Sequence, residues 1–128
     1  MQRYPVLYLL HSFGHDAWTE VGKTAAIMDN LIAQQACEEM IVLIPNSDLL
    51  PVPNDTKFDG YAPKNLKLME RDLLEDLRPY ITQNYQLSSH QIHNAIAGLS
   101  MGGGQALTIA LRHLDSFARV ASFSSAAP

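Results

Sequence analysis

Cysteine occurs only once in this sequence, at Cys37, which excludes an internal disulfide framework and a Cys-based zinc site. Charged residues are also sparse, at 17% of 128 residues, and 9 Lys and Arg against 13 Asp and Glu give a formal charge of −4. Because no basic cluster stands out, we expect no nucleic-acid partner. No apolar run approaches the ~18 residues that span a bilayer, so we expect no membrane partner either.

Apolar residues are plentiful, at 47%, which is enough to bury the core of one domain of ordinary size. The first apolar run, Tyr4–Leu10, lacks the organisation of a signal peptide and predicts a buried strand instead. The sequence leaves the localisation open.

Four short apolar runs alternate with helical patterns, which is typical of βαβ units that build a parallel sheet. The predicted strands are Tyr4–Leu10, Met40–Ile44, His93–Ala97 and Val120–Ser124. Apolar residues at helical spacing predict helices over Gly22–Gln35, Leu66–Ile81 and Gly102–His113. Proline and glycine punctuate Ser47–Lys67, which predicts a long loop, and Pro79 predicts a kink in the second helix.

The third strand and third helix are joined by Gly98-Leu99-Ser100-Met101-Gly102, a G-x-S-x-G motif in the strand–turn–helix context that gives it meaning. Such a tight turn needs glycines, because a Cβ there would clash with the neighbouring strand and helix. The turn predicts an exposed Ser100 nucleophile at a helix N-terminus. The N–H groups of Met101 and of Phe13, in the loop after the first strand, are the candidate oxyanion-hole donors.

A glycine-rich turn of this kind could instead bind a phosphate group, and Gly102-Gly103-Gly104 fits that alternative. The nucleophile interpretation is favoured, because no Gly-Lys-Ser/Thr ending follows and no acidic residue stands at a strand end ~20 residues on. No His, Asp and Glu cluster has metal-ligand spacing, so we expect neither a metal nor a cofactor.

Four stretches resemble the putative-esterase, or esterase D-like, family of α/β-hydrolases, within which the feruloyl and acetyl xylan esterase branch is most similar. They are Tyr4–His11, Met40–Asn46, Arg71–Asp76 and Ala97–Gly104. The resemblance implies an α/β fold with a three-layer αβα sandwich and a central parallel sheet in the order second, first, third, fourth strand. It also implies a serine carboxylesterase that acts on a feruloyl or acetyl ester of a plant cell-wall polysaccharide through an acyl-enzyme on Ser100.

The chain departs from the family pattern at two places. The oxyanion loop reads His11-Ser12-Phe13-Gly14-His15 where the family usually has His-Gly-x-Gly-Gly. After Ser100 only 28 residues follow, and their sole acid and histidine, Asp115 and His113, lie ~18 Å away at the far end of the third helix. His11 and His15 are less favoured bases.

We therefore expect residues 1–128 to form part of an α/β-hydrolase domain, truncated after the strand that follows the nucleophile helix, with the triad acid and histidine outside the chain. The alternative is a complete derivative that only binds ligand, or an oligomer. In either case the strands Met40–Ile44 and Val120–Ser124 would be exposed sheet edges through which copies could associate.

Aromatic side chains and one histidine are candidate contacts for the acyl group or sugar. They are His15, Trp18, Phe58 and Tyr61. For Trp18, Phe58 and Tyr61, ordinary packing of the long loop is the favoured explanation.

Overall fold

The structure is a computed structural model that describes residues 1–13, 16–51 and 60–125. The strands are β1 Val6–Leu10, β2 Ile41–Leu43, β3 Asn94–Leu99 and β4 Arg119–Phe123. The α-helices are α1 Thr24–Ala33, α2 Tyr61–Arg71, α3 Arg78–Asn84 and α4 Met101–Arg112. Two π-helical segments, Ala17–Val21 and Asp72–Leu77, and a 3₁₀ turn, Gln91–His93, complete the described elements.

The four strands form one parallel sheet in the order β2-β1-β3-β4, which confirms the predicted topology. In the register, Val6 lies between Ile41 and Asn94, and Ala95 pairs with Arg119. The parallel arrangement brings the carboxyl ends of all four strands to one edge, which is where ligands bind in open α/β sheets.

The hydrophobic core lies on one face of the sheet. Val6, Tyr8 and Leu10 of β1 and Ile96 of β3 point to that face, and each is at most 2% exposed. Side chains of the helical layer and its flanking segments cover them: Met69, Leu73, Ile81, Leu87, Ala106, Ile109, Ala110 and Phe117. This packing fixes α4, and therefore the turn that precedes it, against the sheet.

The opposite face carries α1, because right-handed crossovers place the β1–β2 and β3–β4 connections on opposite sides. None of its residues is buried, and Val21 is 74% exposed. The apolar stripe that predicts this helix, Val21, Ala25, Met28 and Ile32, is therefore not a buried face, although Met28 and Ile32 are half-buried. The left-handed backbone of Lys23 (φ 51°) separates the π-helical segment from α1, so Val21 does not continue the stripe.

The predicted loop Ser47–Lys67 is wrong at its end, because α2 begins at Tyr61. Pro63 suggested a loop, but it lies in the first turn of the helix, where a missing N–H costs nothing. At Pro79 the prediction is a kink or a later helix end, because the ring opposes the Glu75 carbonyl. The helical path continues through the π-helical segment Asp72–Leu77 into α3, so the irregularity lies in the turn before the proline, which includes Glu75.

Other boundaries differ from prediction by one to three residues, as element ends commonly do. β1 begins at Val6, while Tyr4 forms a separate bridge to Leu87. β3 runs on to Leu99, immediately before the serine turn. In the described parts of the chain, no helix is long and apolar enough to cross a membrane.

Candidate active site

Ser100 occupies the single residue between β3 and α4, at the carboxyl edge of the sheet. Its backbone angles, φ 54° and ψ −117°, lie where non-glycine residues are strained by ~1–3 kcal/mol. The Ser100 N–H donates to the Phe123 carbonyl at 2.8 Å, and its carbonyl accepts from the Gly104 N–H at 3.0 Å. Contacts to β4 and α4 therefore hold an exposed serine in a strained turn.

The two motif glycines are required by close backbone approach. A Cβ at Gly98 would overlap the carbonyl group of Gly102. A Cβ at Gly102 would lie 2.5 Å from the carbonyl oxygens of both Leu10 and His11. Any side chain at these positions would thus push α4 away from β3 or from the end of β1.

The loop after β1 and the start of α4 meet at this edge. The His11 carbonyl reaches Gly102, and the chain continues through Ser12 to Phe13, which is 48% exposed. At the start of α4, the N–H groups of Met101, Gly102 and Gly103 have no partner within the helix, and Met101 supplies the first of them. The structure therefore brings both predicted oxyanion donors, Met101 and Phe13, to the edge that carries Ser100.

A buried polar network lies beneath this edge. Ser47, which is fully buried, donates its Oγ–H to the His11 carbonyl at 2.7 Å and its N–H to His11 Nε2 at 3.1 Å. The Ser47 carbonyl accepts from Asn65 Nδ2 at 2.6 Å and from Gln105 Nε2 at 3.3 Å. Asn65 Oδ1 also accepts the Leu49 N–H at 2.8 Å. The network joins the ends of β1 and β2 to α2 and α4.

The His11 ring has a defined tautomer in this arrangement. Because Nε2 accepts from the Ser47 N–H, the proton lies on Nδ1, which donates to the Ser12 carbonyl at 2.5 Å. With both nitrogens engaged and only 2% of the residue exposed, His11 is placed to shape the loop rather than to accept a proton from Ser100.

Aromatic side chains surround the same edge. Trp18 donates its Nε1–H to the Leu10 carbonyl at 2.8 Å, and its ring lies 6.4 Å from that of Phe123, which is 51% exposed. On the other side, the Phe13 and Tyr61 rings are 5.6 Å apart. The remaining predicted contacts, His15 and Phe58, lie outside the described residues.

Tyr61 is the first residue of α2 and is 6% exposed, so it packs beneath Phe13. Its hydroxyl lies 3.3 Å from Asp48 Oδ1 and 3.2 Å from the Leu50 carbonyl. Burial, and then the nearby Asp48 carboxylate, raise the pKa of Tyr61 above 10.0. Tyr61 is therefore a neutral hydroxyl that ties the β2 exit to α2.

The histidine after α4 has another role. His113 Nε2 lies 2.8 Å from Glu70 Oε1, and Arg112 donates to the second oxygen of that carboxylate at 2.8 Å. Burial alone would raise the pKa of Glu70, but the hydrogen bonds from His113 and Arg112 outweigh it and lower that pKa below 4.5. These groups join α4 to α2 and are a helix length, ~18 Å, from Ser100.

A second serine–histidine pair lies at the opposite edge of the sheet. Ser88 Oγ is 2.8 Å from His93 Nδ1, and His93 lines an open cavity of ≈ 470 Å³ beside Ile92 and Arg119. Ser88 is 5% exposed, and its Oγ also accepts the His90 N–H. This serine supports the turn before β3 and is not presented to a substrate, so Ser100 is the stronger candidate.

No metal site competes with this interpretation in residues 1–13, 16–51 and 60–125, where no three His, Cys, Asp or Glu side chains are grouped closely enough to hold an ion.

The whole chain, residues 1–128, matches the family model described as "Putative esterase". The chain belongs to this esterase family. It is 36% identical over 118 residues to an endo-1,4-beta-xylanase/feruloyl esterase of Xylanibacter ruminicola. That match covers 91% of this chain and 16% of the relative. An esterase of Mycobacterium tuberculosis is 28% identical over 124 residues, covering 97% of this chain and 26% of its own.

Solved structures of esterases share the α/β-hydrolase fold. A ferulic acid esterase from Anaeromyces mucronatus, solved in complex with ferulic acid, superposes with a TM-score of 0.87 at 28% identity. A second ferulic acid esterase superposes with a TM-score of 0.77 at 33% identity. The matches cover 98% and 97% of this chain but only 47% of each solved chain, so this chain spans about half their length.

The network residues Ser47, Asn65 and Gln105 of this esterase-family chain are absent from the sequence-based prediction. The sequence signal for Ser47 was its position just after β2, whose end meets the edge that carries Ser100. Asn65 gave no signal, because a buried amide in a helix cannot be told from an exposed one by pattern. Phe123 was predicted only as part of a strand.

Proposed function

We propose that this chain carries the nucleophile and oxyanion hole of a serine carboxylesterase, with Ser100 as the residue that accepts the acyl group. The observation that carries the proposal is the strained, exposed Ser100 between β3 and α4. Strain of 1–3 kcal/mol persists where surrounding structure enforces it, and a nucleophile on a sharp strand-to-helix turn is its known use in α/β-hydrolases.

The proposed reaction proceeds in two steps. Ser100 Oγ forms a bond to the ester carbonyl carbon while a general base removes its proton, and the ester C–O bond then breaks as the leaving alkoxide takes up that proton. In the second step, water attacks the acyl carbon with help from the same base. The bond to Ser100 Oγ then breaks, which releases the acid and restores the serine hydroxyl. The N–H groups of Met101 and Phe13 would stabilise the negative oxygen of both tetrahedral intermediates.

The general base would come from outside the described residues. Among the described histidines, His11 is buried with both ring nitrogens bonded, His113 pairs with Glu70, and His90 and His93 lie at the amino edge of the sheet. None of these four side chains is placed beside Ser100.

We further propose an aromatic acyl group, of the feruloyl type, on a plant cell-wall polysaccharide as substrate. Phe13 and Phe123 expose about half of their surface at the edge that carries Ser100, and Trp18 packs beside Phe123. Flat apolar rings suit a hydroxycinnamoyl group, because aromatic pairs gain roughly 0.5–1.5 kcal/mol beyond area burial. Relatives named feruloyl or ferulic acid esterases support this choice over an acetyl group.

The nucleophile is tested with a fluorophosphonate probe and nitrophenyl acetate, beside a Ser100→Ala control. We expect probe labelling that requires Ser100. The ~10³–10⁴-fold acceleration that remains when a triad member is missing comes from the oxyanion hole and binding and does not need the serine, so covalent labelling, and not the rate of hydrolysis, decides the role of Ser100. Equal labelling of the protein and the Ser100→Ala variant would contradict the proposal.

The acyl group is tested by comparing methyl ferulate with nitrophenyl acetate in a Trp18→Ala variant. We expect the KM for ferulate to rise about tenfold, the equivalent of ~1.4 kcal/mol, while the KM for acetate stays unchanged. Tyr85→Ala, which removes an aromatic ring that is 58% exposed near the amino edge, is the matched control. Ferulate binding without Ser100-dependent probe labelling would instead support a non-catalytic derivative.

A further inference from the structure

Ser47 connects the two halves of the predicted oxyanion hole through hydrogen bonds to His11 and Asn65. Its side chain is fully buried, and its Oγ–H donates to the carbonyl of His11 at 2.7 Å. That same carbonyl is the group that a Cβ on Gly102 would meet at 2.5 Å. The His11 carbonyl is thus held between Ser47 and the first turn of α4.

The other contacts of Ser47 fix its own position. Its N–H donates to His11 Nε2, so two bonds join Ser47 to the loop that leads to Phe13. Its carbonyl is held by Asn65 Nδ2 at 2.6 Å. Asn65, which is fully buried, also lies 3.7 Å from the sulfur of Met101. Asn65 of α2 therefore contacts both sides of the predicted oxyanion hole. One branch runs through Ser47 to the loop, and the other runs directly to Met101.

We propose that Ser47 is a positioning residue for the oxyanion hole: it holds the His11–Phe13 loop so that the Phe13 N–H keeps its place relative to the Met101 N–H. This inference rests on the proposed function. Its physical basis is that donors must be aimed at the position of the developing oxyanion, and a misplacement of ~1 Å can cost ~10²-fold in rate. Loss of the buried Ser47 hydroxyl would remove one hydrogen bond that holds the His11 carbonyl and would allow the loop to move.

The test is a Ser47→Ala variant of the whole chain, with Ser88→Ala as the matched control. Ser88 is also a buried serine that hydrogen-bonds a histidine ring, but it lies at the amino edge of the sheet. For Ser47→Ala we expect kcat for nitrophenyl acetate to fall about 10–100-fold with KM within about twofold, because only transition-state contacts are lost. The amide NMR signals of Phe13 and Met101 should shift. Neither change is expected in Ser88→Ala.

Two results would overturn the inference. Unchanged Phe13 and Met101 amide signals in Ser47→Ala would show that Ser47 does not hold the loop. Shifted signals with an unchanged kcat would show that Ser47 is structural only. If the unmodified chain shows no Ser100-dependent probe labelling, the esterase proposal fails instead, and the amide signals alone decide whether Ser47 positions the loop.

Discussion

A single methyl group at Gly102 should separate the start of α4 from the end of β1. In Gly102→Ala the new Cβ would lie 2.5 Å from the carbonyl oxygens of Leu10 and His11, whereas ordinary contacts of a Cβ begin at 3.4 Å. Both oxygens belong to nearly inaccessible residues, so neither can rotate away. The first turn of α4 must then move by about 1 Å. Overpacking of this kind costs ~1–3 kcal/mol, and the displacement of Ser100 should lower kcat about 10²-fold.

Gly103→Ala is the comparison variant. Its Cβ would meet the Ser122 hydroxyl at 2.9 Å and the Gly98 carbonyl at 3.0 Å, so the nearest atom can turn aside. Alanine is also favoured over glycine in a helix by up to ~1 kcal/mol, which offsets part of the crowding. Chemical denaturation and nitrophenyl acetate kinetics measure both variants. A Gly102→Ala protein as stable and as active as the unmodified chain would refute the reasoning.

Three further predictions follow from single contacts. Ser100→Gly should raise stability in urea by about 1 kcal/mol because glycine relieves the strained backbone, while fluorophosphonate labelling is lost; a loss of stability would contradict this. Leu73→Ala, at a fully buried position, should cost ~2–5 kcal/mol in the same assay, and a cost under 1 kcal/mol would show a loosely packed helical layer. The pKa of Glu70 in the folded protein lies below 4.5. Its ionised carboxylate therefore adds to the free energy of unfolding above pH 4.5, and this contribution is lost as the pH falls through the pKa of the folded state. Glu70→Gln should therefore lower the free energy of unfolding at pH 7 by roughly 1 kcal/mol and weaken its dependence on pH in the acid range. The same pH dependence in the variant and the unmodified chain would count against the ion pairs with Arg112 and His113.

The sheet edges predicted to be exposed are β2 and β4, the outer strands of the described sheet. In β4 only Ala121 is not exposed. Association of copies through these edges stays a prediction, and light scattering over a range of concentrations would test it.

The alternation of apolar runs with helical patterns was enough to predict the parallel sheet, because buried parallel strands and amphipathic helices differ in period. Sequence patterns predicted the helices less well where one local signal is compatible with two structures. Pro63 marks loops and also first helical turns, so α2 was placed too late. Val21 matched a helical stripe that the left-handed Lys23 interrupts.

The sequence by itself determined where the serine turn lies. A serine between two glycines, after a strand and before a helix, can hardly adopt another turn, and parallel strands must bring Phe13 and Ser100 to one edge. Only the tertiary structure decided what supports that edge. The partners of Ser47, at His11 and Asn65, are 36 and 18 residues away in the chain. Such contacts depend on how α2 packs across the sheet, which no local pattern specifies.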